Sequence, residues 1–553
     1  MSMMSRAVGS RRSRPQLSGL AKEDHGLRFW KRSVVSAGIS GVLLLASTYA
    51  RAAGNDQPYP VGELASTMGG AAVAITHDGT APWYNPAGLG RVTEEGISAT
   101  LNVYGVQIEK TTGFVGTADL KGWTTAIFPG SLGYVKPLGI FGGDIRHALG
   151  IAVVVPDFAR HEVALDNTIQ QNSTNYELHL REQLLEQTVW VIPGWGACFG
   201  PRFCVGASLH VGYWSSTGLY SYFEQYAAGP GDQFADSTMQ QTQYSALELA
   251  GGAGLQYQPL DNVWIGVSLR SPALTVWSSG KVLMLDSSYD TLATTPDASY
   301  VRRASDDNLK IDQRLPLRLR LGVGVELGDW LLAADVNVSL PQSQYQAVRT
   351  HDGQTTIQPM DAEGNPVSPN NPLDIGQPDG RNTIVNVNVG AQYHFSKKLA
   401  AQAGFFTDFS GQPDDLIDEL HPHINHYGLT AGIAMKGASS MTFVGVIATL
   451  GIGKSYGVSI DPGTGEFLDR TADAQSEAIY FTLGGSTRLG DPPEKPLANT
   501  AEPSESAPPV PEVAPHEQRD PQAAPSPPPE EDQSAKSSHA KKKVKKARRK
   551  DSE

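Results

Sequence analysis

The chain has 553 residues, with 44 Lys and Arg against 57 Asp and Glu for a formal charge of -13, and 40% of it is hydrophobic. That composition excludes a helical membrane bundle, and no apolar run beyond residue 50 nears the roughly 18 residues that a spanning helix requires. Nine of the basic residues lie in the first 52, leaving 35 basic and 55 acidic residues in the remainder, a net charge of -20 that argues against nucleic acid as a partner.

Lys31 and Arg32 precede an apolar run from Val34 to Tyr49, and Ala50-Arg51-Ala52 supplies the small residues of a cleavage site. Residues 1–52 therefore read as a leader and export signal. The run is short and broken by Gly38, Ser40 and Gly41, which disfavours the alternative of a single-helix anchor. Residues 53–95 follow, rich in Gly and Ala without a two-residue repeat, and form a separate small element ahead of the strands.

From Gly96 to Leu489 alternating segments recur. They are Ile97–Ile108, Trp123–Lys136, Leu149–Pro156, Thr188–Cys198, Phe203–Trp214, Tyr244–Gln258, Val263–Trp277, Leu315–Leu327, Trp330–Leu340, Ile384–Phe395, Leu399–Phe409, His426–Lys436, Met441–Gly453 and Glu477–Leu489. The clearest is L-P-L-R-L-R-L-G-V-G-V-E-L at Leu315–Leu327. Its length suits a membrane-spanning strand, and pointing Arg318 and Arg320 at lipid would cost roughly 2 to 4 kcal/mol each near the midplane. The leucines therefore point out and the arginines in. Leu332, Ala334, Val336 and Val338 likewise face out against Asp335, Asn337 and Ser339, and Val385, Val387 and Val389 against Asn386 and Asn388.

About fourteen segments, an even number, separated alternately by tight turns and long connections such as Asp157–Gln187 and Ser215–Gln243, predict an all-β fold: a transmembrane antiparallel β-barrel in a bacterial outer membrane. A soluble sandwich would have shorter strands and less lopsided connections. Cys198 and Cys204 flank Gly200-Pro201 symmetrically, so they form a small hairpin disulfide or remain two reduced thiols. No metal site and no cofactor site are indicated. Residues 490–553 turn to Pro, Ala, Ser and Glu and end in K-K-K-V-K-K-A-R-R-K at Lys541–Lys550. That composition predicts a disordered tail with a basic end suited to an anionic periplasmic partner.

Before the first strand stands G-G-A-A-V-A-I-T-H-D-G-T-A-P-W-Y-N-P-A-G-L, Gly69–Leu89. The Asn85-Pro86-Ala87-Gly88-Leu89 motif, with its Gly/Ala-rich approach and the strands after it, resembles the FadL/TodX family of outer-membrane transporters for hydrophobic compounds. L-G-I-A-V-V-V-P at Leu149–Pro156 and L-L-A-A-D-V-N at Leu331–Asn337 add to the likeness, which spans roughly Met68–Leu489. The resemblance implies a fourteen-stranded barrel whose N-terminal segment folds inward as a hatch, with Asn85, Pro86, Ala87 and Gly88 at the plug. It also implies uptake of long-chain fatty acids or other hydrophobic small molecules from an outer apolar groove to the lumen and sideways into the outer-membrane lipid. Candidate groove residues are Leu180, Leu184 and Leu185, at near-helical spacing with Leu178, and Tyr220 and Phe223 in an aromatic cluster. Arg318 or Arg320 is placed to meet a carboxylate or to pair with Glu326 or Asp335. His161, His179, His421, His423 and His426 have serines nearby but sit in no catalytic motif, so the chain does not read as an enzyme. The alternative to transport is a structural barrel tethered to the envelope by its basic tail.

Overall fold

The computed structural model describes Asn55, Gln57 and residues 59–489, apart from 142–144, 172–173, 230–231, 291–299, 351–355, 361–370, 373–376, 418–420 and 461–466. The leader and the Pro-rich tail with its basic end lie outside the described residues.

Fourteen walls close a ring among the described residues. They are β1 (Gly96–Val115), β2 (Ala118–Phe141), β3 (Ile145–Gln171), β4 (Thr174–Phe199), β5 (Phe203–Gly229), β6 (Asp232–Leu260) and β7 (Val263–Arg270 with Ala273–Asp290). β8 (Tyr300–Ile311, Arg314–Leu315 and Arg318–Leu327), β9 (Trp330–Ser339 with Gln342–Arg349), β10 (Gln377–Arg381 with Ile384–Ser396), β11 (Leu399–Asp408), β12 (His423–Lys436), β13 (Ser440–Ile460) and β14 (Phe467–Arg488) complete it. Each wall pairs antiparallel with its sequence neighbours, and β14 returns to β1 through ladders such as Gly96↔Arg488 and Val106↔Ile479. Closure leaves no edge strand, which is what a sheet in lipid requires. No helix among the described residues is long and apolar enough to cross a membrane.

The polarity is inverted relative to a soluble protein. Ile151, Val191, Leu209, Ile265, Leu321, Val387, Ile433 and Ile479 are exposed on the outside, while Asn102, His210, Arg318, Arg320, Asp335, Gln402 and Thr430 are buried inside. The expected alternation thus holds along β8 from Arg318 and along β9 and β10. Leu315 departs from it: it is buried and Arg314 is exposed. The ladder is interrupted at Pro316-Leu317, where proline has no N–H to donate, and the faces exchange there.

Several segments read as long connections are strand. β3 runs to Gln171 and β4 begins at Thr174, β5 runs to Gly229 and β6 begins at Asp232. Their ladders continue in register, as in Leu165↔Leu180 and Tyr220↔Gln240. The walls from β2 to β6 are therefore 24 to 29 residues long, whereas β11 has 10. At about 3.3 Å per residue the tall side rises far beyond a bilayer, on the rim opposite the tight turns.

Candidate functional site

The segment Tyr59–Val92 is almost wholly buried and lies inside the ring. It is compact because small residues let its chain fold on itself. It carries one short helix, α1 (Ala81–Tyr84), and a 3-10 turn, Pro86–Arg91. Asn85 sits between them in extended conformation, and its Oδ1 accepts from the Ala87 N–H at 3.1 Å, capping the turn that Pro86 begins. The Asn85 amide also donates to the Val73 carbonyl at 2.9 Å and to the Leu255 carbonyl of β6 at 3.0 Å. The motif residue thus holds its own turn and ties it to the wall. Gly88 serves by close approach: a side chain there would strike the Thr76 carbonyl.

Polar wall residues grip the segment around the ring. Asp335 Oδ2 on β9 accepts from the Ala72 and Val73 N–H groups at 2.6 and 3.0 Å. Gln256 donates to the Val73 and Thr76 carbonyls, Asn388 to the Gly69 carbonyl, Thr430 to the Thr67 carbonyl, and Ser486 to Glu63 Oε1 at 2.7 Å. Between these grips the walls are glycine. A side-chain carbon on Gly196 would come within 2.6 Å of the Pro86 carbonyl oxygen, and Gly206, Gly254, Gly266 and Gly404 stand against Pro86, Asn85, Val73 and Met68 in the same way. Burial and the negative charge of Asp78 push the Glu63 carboxyl up to about 8, against the opposing hydrogen bond from Ser486.

Arg318 and Arg320 point inward as expected. Arg320 donates to the Trp83 carbonyl at 3.2 Å and lies over the Trp83 and Tyr84 rings, and Arg318 donates to Ser339 Oγ at 3.3 Å. Arg320 thus holds α1. Cys198 and Cys204 are disulfide-bonded partners across the β4–β5 hairpin, buried against Ala87.

Leu180, Leu184 and Tyr220 are buried on the inner face of the tall side. Leu180 and Tyr220 pack with Phe114, Leu120 and Val458, and Leu184 packs with Trp214 and Val282. Leu185 and Phe223 are corrections: they lie on the outer face, Leu185 being 45% exposed. The near-helical reading of Leu178–Leu185 was misplaced. In a strand, Leu184 in means Leu185 out, and Tyr222 in means Phe223 out.

Above the plug, on the side of the tall walls, lies a cavity of about 160 Å³. Tyr59, Leu184, Phe158 and Tyr480 line it, together with Gln107 and Glu109. It reaches the β3 edge and one end of a break in the barrel wall. β2 and β3 pair at Lys121↔Ala164 and Gly122↔Val163, and again from Ser131↔Val154 to Pro137↔Ala148, in one register. Among the described residues no backbone pairing joins 123–130 to 155–162. Asp157, Phe158 and Arg160 line the cavity from within the unpaired stretch of β3, and Leu120, Gly122 and Val163 line it from beside that stretch. Pro129 and Pro156, which cannot donate to a ladder, stand within the unpaired stretches.

A filled lumen, an apolar outer surface and inward polar grips define a transmembrane β-barrel of the outer-membrane type. Solved structures share this fold. A Pseudomonas aeruginosa FadL homologue is 13% identical, with a TM-score of 0.52 over 78% of this chain and 100% of that one. The deltaS2S3 mutant of the TodX monoaromatic hydrocarbon channel is 15% identical, with a TM-score of 0.52 over 78% and 99%. The deltaS2 mutant of the same channel is 14% identical, with a TM-score of 0.50. No family model and no curated protein matches the chain. The barrel is thus the FadL-type fold that the Asn85–Leu89 motif suggested.

Proposed function

We propose that this barrel carries hydrophobic small molecules across the outer membrane by passive diffusion. Cargo enters along the apolar inner face at Leu180, Leu184 and Tyr220, rests in the cavity above the plug and leaves sideways through the β2–β3 seam. The observation that carries this reading is that one cavity above a plugged floor is lined by Asp157, Phe158 and Arg160 from the unpaired stretch of β3 and by Leu120, Gly122 and Val163 beside it. The plug acts as the hatch. Its Asn85–Gly88 turn is the fixed part, seated on glycines, and Asn55 and Tyr59, which line the cavity, form its gate. FadL-type and monoaromatic-hydrocarbon proteins of the same fold support this class of cargo, and long-chain fatty acids and single aromatic rings are its two candidates.

The test closes the seam. Thr125 and Arg160 are opposite by extrapolation of the flanking register and both are exposed, so Thr125→Cys with Arg160→Cys allows a bridge across the seam. Uptake of labelled oleate and of labelled toluene is measured in cells expressing the oxidised pair, the reduced pair and the unaltered chain at matched surface levels. Oxidation should abolish uptake and reduction restore it. Uptake unchanged by oxidation overturns the lateral route.

A further inference from the structure

A second cavity, of about 10 Å³, lies between α1 of the plug and the walls β5, β7 and β8. That volume has room for one water molecule or one monatomic ion, and it excludes the head and chain of an acidic cargo.

Three guanidiniums converge on it. Arg270 on β7 and Arg318 on β8 stand directly opposite in their ladder, and Arg320 lies two residues along, opposite Ser268. Like charges in opposite positions repel, the more so where water is excluded. Arg318 donates to Ser339 and Arg320 to the Trp83 carbonyl, yet a guanidinium carries five N–H donors, so these bonds leave others for a guest. Among the described residues no carboxylate lines the cavity.

Two buried polar atoms point to the nature of the guest. The Trp83 indole N–H and His210 Nδ1 have no hydrogen-bond partner among the described residues. Trp83 and His210 are 5% and 2% exposed, and both line the cavity. An indole nitrogen only donates, and a buried donor without an acceptor is costly enough that native folds rarely keep one. The Arg270 and Arg320 guanidiniums stand 5.7 and 5.4 Å from the centre of the Trp83 ring, so this N–H sits in their positive field. The hydroxyls of Ser268 and of Ser208, which meets His210 Nε2 at 3.1 Å, add to the lining. A side-chain carbon on Gly252 would strike Ser208 Oγ and His210 Nε2, so glycine there keeps the space open. Donors and positive charge suit a guest that accepts hydrogen bonds and is itself negative. A water supplies the acceptor without the charge.

We infer that this cavity binds one monatomic anion of chloride size, which clasps Trp83 of the plug to the arginines of the wall.

The test follows the unfolding midpoint of the full chain in detergent micelles, at fixed ionic strength, as gluconate is replaced stepwise by chloride or bromide. Because a ligand that binds only the folded state stabilises it, the midpoint should rise with the logarithm of either halide's concentration beyond an onset. Trp83→Phe keeps the ring and removes the N–H, and it should move that onset to at least about tenfold higher halide, the factor that one hydrogen bond to a charged group supplies. Ser268→Ala, checked like the first variant for folding by heat-modifiable mobility, should move it in the same direction. Crystals of the unaltered chain grown in bromide should show an anomalous scatterer beside Trp83 and Arg270. A midpoint equal in gluconate and halide, an onset that neither variant moves, or no bromide at this place in the crystal overturns the inference.

Discussion

Asp335 Oδ2 lies 2.6 Å from the Ala72 backbone nitrogen, so a carboxylate on the barrel wall acts as a cap for the plug's chain. The same oxygen accepts from Val73. A hydrogen bond to a charged group contributes about 1.5 to 3 kcal/mol, and an abandoned buried donor costs a similar amount. Asp335→Ala should therefore lower stability by about 3 kcal/mol or more and unseat the plug's midsection. Planar-bilayer recordings would show larger and more frequent openings, and a closed, wild-type trace would refute this role.

The glycines facing the plug make a second prediction. Gly206 stands against the Pro86 carbonyl and the Ala87 amide, whereas Gly251 meets only Ser271 Oγ at 3.9 Å. Gly206→Ala should raise the leak of small ions and detergents into cells, while Gly251→Ala should leave it at the wild-type level. Equal behaviour of the two variants would show that backbone proximity does not hold the plug.

The Glu63 carboxyl gives a pH dependence. Its value in the folded protein is raised to about 8, first by burial and then by Asp78, so the folded state prefers the neutral acid. The cost of ionising it is absent below the ordinary value of about 4.5 and grows as pH rises toward 8. The plug's foot, held by Ser486, should loosen with increasing pH across that window. Conductance of the wild-type barrel should climb between pH 5 and 8, and Glu63→Gln should flatten the profile. A wild-type profile that is flat or falls with pH would count against it.

Cys198 and Cys204 close a loop across the β4–β5 hairpin and pack on Ala87. Replacing both by serine should cost about 2 kcal/mol by chain entropy and lower the thermal midpoint in calorimetry. A midpoint equal to that of the native chain would mean that the hairpin ladder alone fixes this corner.

Where one face met lipid and the other did not, the sequence was easy to read. Arg318, Arg320, Asp335 and Asn386 stand at alternate positions among aliphatic residues, and a single misplaced charge would be expensive. The tall walls were hidden because Gln, Glu and Asn occupy both faces of β3 and β4 beyond the apolar band, so the two-residue period fades while the ladder goes on. Asn85 was legible as a motif. Its grip on Leu255, like that of Gln256 on Val73, joins positions some 170 to 180 residues apart and leaves no local pattern. The seam is a property of two strands that fail to meet, and Pro129 and Pro156 were its only local trace.

That seam also marks where the bilayer's oily interior must end. Backbone N–H and C=O groups that lack a neighbouring strand cannot face acyl chains, so the hydrocarbon stops below Gly130. From Ser131 to Phe141 the β2–β3 ladder resumes, some eleven residues of tilted strand, which matches the apolar height of about 25 Å usual for such barrels. At the far end, Phe199, Phe203, Trp330 and Phe395 stand exposed near the tight turns, the level at which aromatic rings meet headgroups. On the proposed lateral route, a cargo molecule is thus delivered to the headgroup zone of the outer leaflet.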